Sequence, residues 1–193
     1  MSKAEQKWDQ RYRNKLQKSD QSTKPHPPDF LIRHWSALSK SRVLDLGAGD
    51  GAVSLFLAEK GFSICAVDIS TVGLEILQSN IAPMPVTFDS VVMDLEAESA
   101  DLSVLGSFDA IVISRYKPVN TLWPQLVSAL KPEGTLMITT FNHRHHDRTG
   151  FPLRFCLQPN EYIEKFPELQ LIQSEIDQLD MAMDSYLFKK LTP

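Results

Sequence analysis

The sequence predicts an α/β fold: a doubly wound, mostly parallel sheet of seven strands with an antiparallel last strand, preceded by an N-terminal helical arm. Three observations carry this. Strand-length apolar runs alternate with helical segments from residue 42 onward. The first of these strands, ending in Leu46, passes through Gly47-Ala48-Gly49-Asp50-Gly51 into a helix, as in a strand–loop–helix unit. The final two strand-like runs are joined by a link too short for a crossover helix, so the last strand must be antiparallel.

Residues 1–28 read as the arm. Ala4, Trp8, Tyr12 and Leu16 recur every fourth residue and form one helical stripe with basic side chains around it. Such a stripe should pack on a neighbouring surface. Lys24-Pro25-His26-Pro27-Pro28 ends the arm, because successive prolines remove amide donors and restrict the residues before them. Residues 29–193 read as the main domain. Asp29 is expected to cap a helix whose Phe30, Leu31, His34, Trp35 and Leu38 share a face. Strands are expected at Arg42–Leu46, Phe62–Val67, Val86–Met93, Phe108–Ser114 and Gly134–Phe141. Helices are expected between them at Gly51–Lys60, Ser70–Asn80 (capped by Ser70) and Leu122–Leu130. A loop rich in His and Arg over residues 142–150 should lead to a helix at Pro159–Phe166, then the closing strands Leu169–Ile176 and Ala182–Lys189.

Composition narrows the class. The chain's 193 residues, 42% hydrophobic, suit one domain with a real core and exclude a disordered chain. No apolar run approaches membrane-span length, so no membrane partner is expected. Cys65 and Cys156 are too few for a disulfide framework and read as reduced thiols; with no apolar signal region at the N-terminus, the expected location is cytoplasmic. Charge is uneven: residues 1–24 hold seven basic and three acidic side chains, and the remainder holds 13 basic and 21 acidic. A basic arm on an acidic body is either a phosphate-binding tail or a solvated helix face.

In an open α/β sheet, ligands bind at the carboxyl ends of the strands, where strand order reverses. Gly47, Gly49 and Gly51 lie at such a place, and the second strand ends in Asp68, a carboxylate able to accept from both hydroxyls of a ribose. The glycine run also fits the G-x-G-x-x-A pattern of dinucleotide sites. Asp45 separates the two readings, because a carboxylate at the mouth of the turn repels a pyrophosphate and attracts an ammonium or sulfonium. A cationic adenosine cofactor is therefore favoured.

These blocks resemble the class I S-adenosylmethionine-dependent methyltransferases. The likeness runs in order through VLDLGAGDG at 43–51, AVDIS at 66–70, VMDL at 92–95, FDAIV at 108–112 and LKPEGTL at 130–136. Trp8-Asp9-Gln10-Arg11-Tyr12 resembles the opening of the small tellurite-resistance-like branch. The resemblance implies a Rossmann-like fold, S-adenosylmethionine as cofactor and S-adenosylhomocysteine as product. It implies that Gly47 and Gly49 lie against the methionine part, with Gly51 opening the helix beside it, and that Asp45 faces the ammonium. It further implies Asp68 on the ribose, Ile69 over the adenine, Asp94 on the adenine amino group, the Leu95 N–H on a ring nitrogen, and the Ser114 carbonyl on the ammonium. In such relatives an N-terminal helix lies over the cofactor, which makes Trp8 and Tyr12 candidates for a lid.

Methyl transfer needs chiefly a held acceptor, with a general base only where that acceptor must lose a proton. The catalytic group is left open. His143 and His145, and with them His146, are candidate bases, and Arg115, Tyr116 and Arg144 are candidate substrate contacts. No metal is expected, because the bunched histidines lack helical H-x-x-x-H spacing and a thiolate pair. A small-molecule substrate is the expectation, since no RNA-binding module or nucleic-base motif supports a nucleic acid, and nothing specific supports a protein. Two alternatives stand beside this: an NAD-dependent oxidoreductase on a similar sheet, and a cofactor-binding protein without turnover.

Overall fold

The computed structural model describes residues 2–18, 25–176 and 182–192. Helix α1 (Lys3–Lys18) precedes α2 (Asp29–His34), β1 (Arg42–Leu46), α3 (Ala52–Glu59), β2 (Ser63–Asp68), α4 (Thr71–Ile81) and β3 (Phe88–Val92). Then come β4 (Phe108–Ser114), α5 (Trp123–Ala129), β5 (Leu130–Phe141), α6 (His143–Thr149), β6 (Leu169–Ile176) and β7 (Met183–Lys190). The seven strands form one sheet in the order β3-β2-β1-β4-β5-β7-β6. The first five are parallel, and β7 runs antiparallel to both β5 and β6. Strand order reverses between β1 and β4, and it is at the carboxyl ends of such strands that an open α/β sheet binds ligands.

Alternation along the buried strands sets the three layers. Leu44, Leu46, Cys65, Val67, Ile111 and Ile113 face one core with Trp123, Leu126, Tyr162 and Phe166. Val43, Ile64, Ala66, Ala110 and Val112 face the other core with Phe30, Leu31, Leu57, Leu74 and Leu77. The resemblance blocks far from those carboxyl ends are structural. Lys131 pairs with Asp109 at 2.9 Å, Asp109 accepts from the Arg42 amide at 3.0 Å, and a side chain at Gly134 would meet the Lys131 carbonyl. They tie the amino ends of β1, β4 and β5 together.

Several expectations are corrected. Residues 142–150 are a helix rather than a loop: Asn142 caps α6 by accepting from the Arg144 amide, and Gly150 closes it in the left-handed conformation. Pro159–Phe166 is a series of turns, with Asn160 at φ +61 and Tyr162 and Phe166 packed on Trp123. Asp29 does not cap α2; Pro28 holds the cap position, without a side-chain bond, and Asp29 sits in the first turn. The fifth strand begins at Leu130, four residues early. The arm's stripe packs only in its middle, for Ala4 and Leu16 are exposed while Trp8 and Tyr12 are half-buried. Lys24, expected to begin the proline break, lies outside the described residues. Among the described residues no helix is long and apolar enough to cross a membrane.

Candidate functional site

The glycine loop follows β1 directly. The Gly47 and Ala48 amides donate to the Val67 carbonyl at 2.8 and 3.0 Å, which pins the loop to the end of β2. Gly47, Gly49 and Gly51 take φ of +77°, +55° and +94°, a region that strains other residues. Gly51 opens α3, and its missing side chain makes room for Leu77 of α4. It is therefore occupied with helix packing.

Asp68 closes the loop from the other side. Its Oδ2 accepts from the Gly49 amide and its Oδ1 from the Ser70 amide, both at 2.8 Å. Each oxygen keeps a further lone pair for a hydroxyl donor. Burial raises the Asp68 pKa against these two bonds, which lower it.

Asp45 is 1% exposed. Its Oδ2 accepts from the Ser54 amide at 3.0 Å and the Ser54 hydroxyl at 2.6 Å, which caps the first turn of α3. Its Oδ1 is buried with no hydrogen-bond partner among the described residues. Burial pushes its pKa up to about 7, opposed by the Ser54 bonds and reinforced by the charge of Asp68. A buried carboxylate left half-satisfied calls for a cationic or proton-donating partner. The donor set thus fits the expected cofactor: glycine backbone for close approach, Asp68 for hydroxyls, and Asp45 for a cation.

At the end of β3, Asp94 accepts from the Glu96 amide at 3.0 Å in a tight turn. Leu95 is buried in the core, and Ile69 is half-buried beside Asp68. Ser114 ends β4 in register with Thr139, and Arg115 follows at φ +55 with an exposed side chain. That turn lays Tyr116 against Gly47, where an added Cβ would sit 3.2 Å from the Tyr116 Cβ. The Tyr116 hydroxyl is buried and unpartnered among the described residues. Burial, then the charges of Glu96, Asp94 and Asp68, hold this phenol protonated far above its ordinary range.

From the other side α1 covers the loop. The Tyr12 ring rests in a cradle formed by Gly49 and Gly73, a place that a side chain on either glycine would fill. Burial, reinforced by Asp68 and Asp50, also raises the Tyr12 pKa. The arm is anchored by Asp9, to which the sequence assigns no role. Asp9, 1% exposed, accepts from the Ser70 hydroxyl at 2.6 Å and the Val72 amide at 3.2 Å at the start of α4. Lys15 forms an ion pair with Asp50 at the loop's edge. Gly73 was the available signal, since a glycine inside a helical pattern marks a close approach. Asp9 stands in the Trp8–Tyr12 block, but that block says nothing of its partner, which lies 61 residues away.

The candidate bases lie on α6. His145 stacks on Phe141 with centroids 4.2 Å apart and meets Phe151 edge-on. His146 Nδ1 lies 2.7 Å from the Phe151 carbonyl. His143 Nδ1 is buried without a partner among the described residues. His143 and Arg144 line a cavity of about 250 Å³ with Asn142, Pro159, Asn160, Ile176 of β6 and Asp184 of β7, just past the end of β5. The Asn142 amide donates to the buried Asp184 carboxylate at 2.7 Å. Among the described residues no three His, Cys, Asp or Glu side chains converge as metal ligands.

Comparison with known proteins agrees with this architecture. A profile of the family described as a methyltransferase domain matches residues 11–174. The putative methyltransferase YqeM of Bacillus subtilis is 32% identical over 125 residues, 58% of this chain and 48% of its own. A ubiquinone biosynthesis O-methyltransferase of Xanthomonas campestris is 30% identical over 133 residues, 67% of this chain and 53% of its own. The chain thus spans about half the length of these curated relatives. TehB from Haemophilus influenzae superposes with a TM-score of 0.69 at 17% identity, over 85% of this chain and 62% of that one.

Proposed function

This chain belongs to the class I S-adenosylmethionine-dependent methyltransferases, and we propose that it methylates a small-molecule acceptor. The observation that carries the cofactor reading is Asp45, a buried carboxylate at the sheet's switch point with one oxygen unpartnered among the described residues. When bound, the cofactor supplies a methyl group already activated on a sulfonium. The remaining work falls to the chain's own residues. Asp45 and the Ser114 carbonyl take the cofactor's ammonium, and the backbone of Gly47 and Gly49 lies against its methionine part. Asp68 takes the ribose hydroxyls on its free lone pairs. Ile69 covers the adenine, with Asp94 and the Leu95 amide at its edge. Helix α1 is the lid, and Tyr12 and Tyr116 exclude water from the loop.

The small acceptor is supported by the size of the cavity beside His143 and by its mixed lining of amide, imidazole, guanidinium and carboxylate groups. His143 is the base for a hydroxyl acceptor, since it lines the cavity and its Nδ1 has no hydrogen-bond partner among the described residues, and Arg144 and Arg115 orient an anionic group. The O-methyltransferase relatives make a hydroxyl the first acceptor to test. Free, buried Cys65 and Cys156 support a cytoplasmic location.

The test is formation of S-adenosylhomocysteine from S-adenosylmethionine with a panel of small hydroxylated, carboxylated and amine metabolites beside tRNA and protein extracts. Turnover with members of the metabolite panel is expected. Turnover with tRNA or protein alone would overturn the small-acceptor reading.

A further inference from the structure

Asp9 is out of place on its helix. The other residues of α1 from Lys3 to Gln17 are half-buried or exposed, yet this carboxylate is 1% exposed and lies against another element. Its Oδ1 accepts from the Ser70 hydroxyl and the Val72 amide, so it supplements the N-terminal cap of α4 from a distant part of the chain. Its Oδ2 faces Arg13 at 3.4 Å, one turn along α1.

Ser70 makes this more than an anchor. Its hydroxyl donates to Asp9 and accepts from the Gly73 amide, while its own amide donates to Asp68 at 2.8 Å. Asp68 in turn accepts from the Gly49 amide. Asp9, Ser70, Asp68 and Gly49 therefore form one continuous hydrogen-bonded chain from the arm to the glycine loop. One turn beyond Asp9, Tyr12 lies in the cradle of Gly49 and Gly73, so docking Asp9 also seats the ring that covers the loop. Both attachments are lost together when α1 lifts.

We propose that Asp9 is the latch of the lid: a positioning residue whose bonds to Ser70 and Val72 hold α1 closed over the nucleoside end of the cofactor site and set how fast a bound adenosyl ligand leaves. This rests on the cofactor reading above. Breaking two bonds to a buried carboxylate is required for opening, so the latch acts mainly on dissociation.

The experiment follows release of radiolabelled S-adenosylhomocysteine from the full chain, chased with excess unlabelled compound, alongside hydrogen exchange of the α1 amides. In Asp9→Ala, release should be about tenfold faster or more and ligand-induced protection of α1 should be lost. Asp9→Asn, which keeps the shape without the charge, should fall between. Should Asp9→Ala fail to fold, Asp9→Asn decides alone. Ser70→Ala should release at a rate close to that of Asp9→Ala, and the double variant should add little to either. A lower melting temperature with release within twofold of wild type would reduce Asp9 to a helix cap and overturn the latch. Failure of the wild-type chain to bind S-adenosylhomocysteine would instead overturn the cofactor reading.

Discussion

Asp45→Asn sets stability against binding at one buried group. Burial lifts the Asp45 pKa from 3.8 to about 7, so the folded chain keeps a proton that the unfolded chain releases. Stability therefore falls as pH rises from about 4 to about 7, the sign opposite to that of an ordinary salt-bridged carboxylate. The gap spans about three pH units, which at about 1.4 kcal/mol each amounts to about 4 kcal/mol at pH 8. Asparagine keeps the shape and can still accept from Ser54 while carrying no charge. For a chain of this size, Asp45→Asn should melt about 8–16 °C above wild type at pH 8 and close to it near pH 4. Binding should move the other way. Loss of a charge-assisted bond to the ammonium, about 1.5–3 kcal/mol, should weaken S-adenosylhomocysteine about 10- to 150-fold at pH 8. Calorimetric melting and titration at both pH values check the pair. A variant with the wild-type pH slope would remove the buried Asp45 proton as its cause, and wild-type affinity at pH 8 would remove Asp45 from the ammonium.

Two further substitutions separate packing from chemistry. Gly51→Ala forces φ +94 on a residue with a side chain and drives it into Leu77, so it should destabilise by about 2–4 kcal/mol in a denaturant titration, with part recovered in Gly51→Ala/Leu77→Ala. With a hydroxyl acceptor, His143→Gln should lower turnover about 10²- to 10⁴-fold while leaving S-adenosylhomocysteine affinity unchanged. His145→Gln, at a ring that stacks on Phe141 and meets Phe151 edge-on, should affect turnover far less, and equal losses would remove His143 from the role of base.

The central part of the fold was legible because both its signals are local. Buried parallel strands read as short apolar runs, and the alternation of Val43, Leu44 and Leu46 between two cores follows from the pleat alone. The glycine loop and Asp68 were legible for a chemical reason, since three left-handed turns need glycine and an acid ending an apolar strand needs a partner. Helix α6 escaped because His143–Thr149 carries no apolar stripe, although Asn142 before it and Gly150 after it mark its two ends. Pro159–Phe166, expected as a helix, is broken by Pro159-Asn160, a pair that favours a turn and puts Asn160 at φ +61. The arm was read from its stripe, yet a buried acid beside that stripe holds it. Such a role depends on Ser70, and no local pattern carries it.

The central claim is that the site at the carboxyl ends of β1 and β4 takes a cationic adenosyl ligand through Asp68 and Asp45. Isothermal titration with S-adenosylhomocysteine and with NAD(H), on wild type and Asp68→Ala, tests it most directly. The wild-type chain should bind S-adenosylhomocysteine saturably and should not bind NAD(H), and Asp68→Ala should bind S-adenosylhomocysteine about tenfold or more weakly. Binding of NAD(H) without S-adenosylhomocysteine, or undiminished S-adenosylhomocysteine binding in Asp68→Ala, would contradict it.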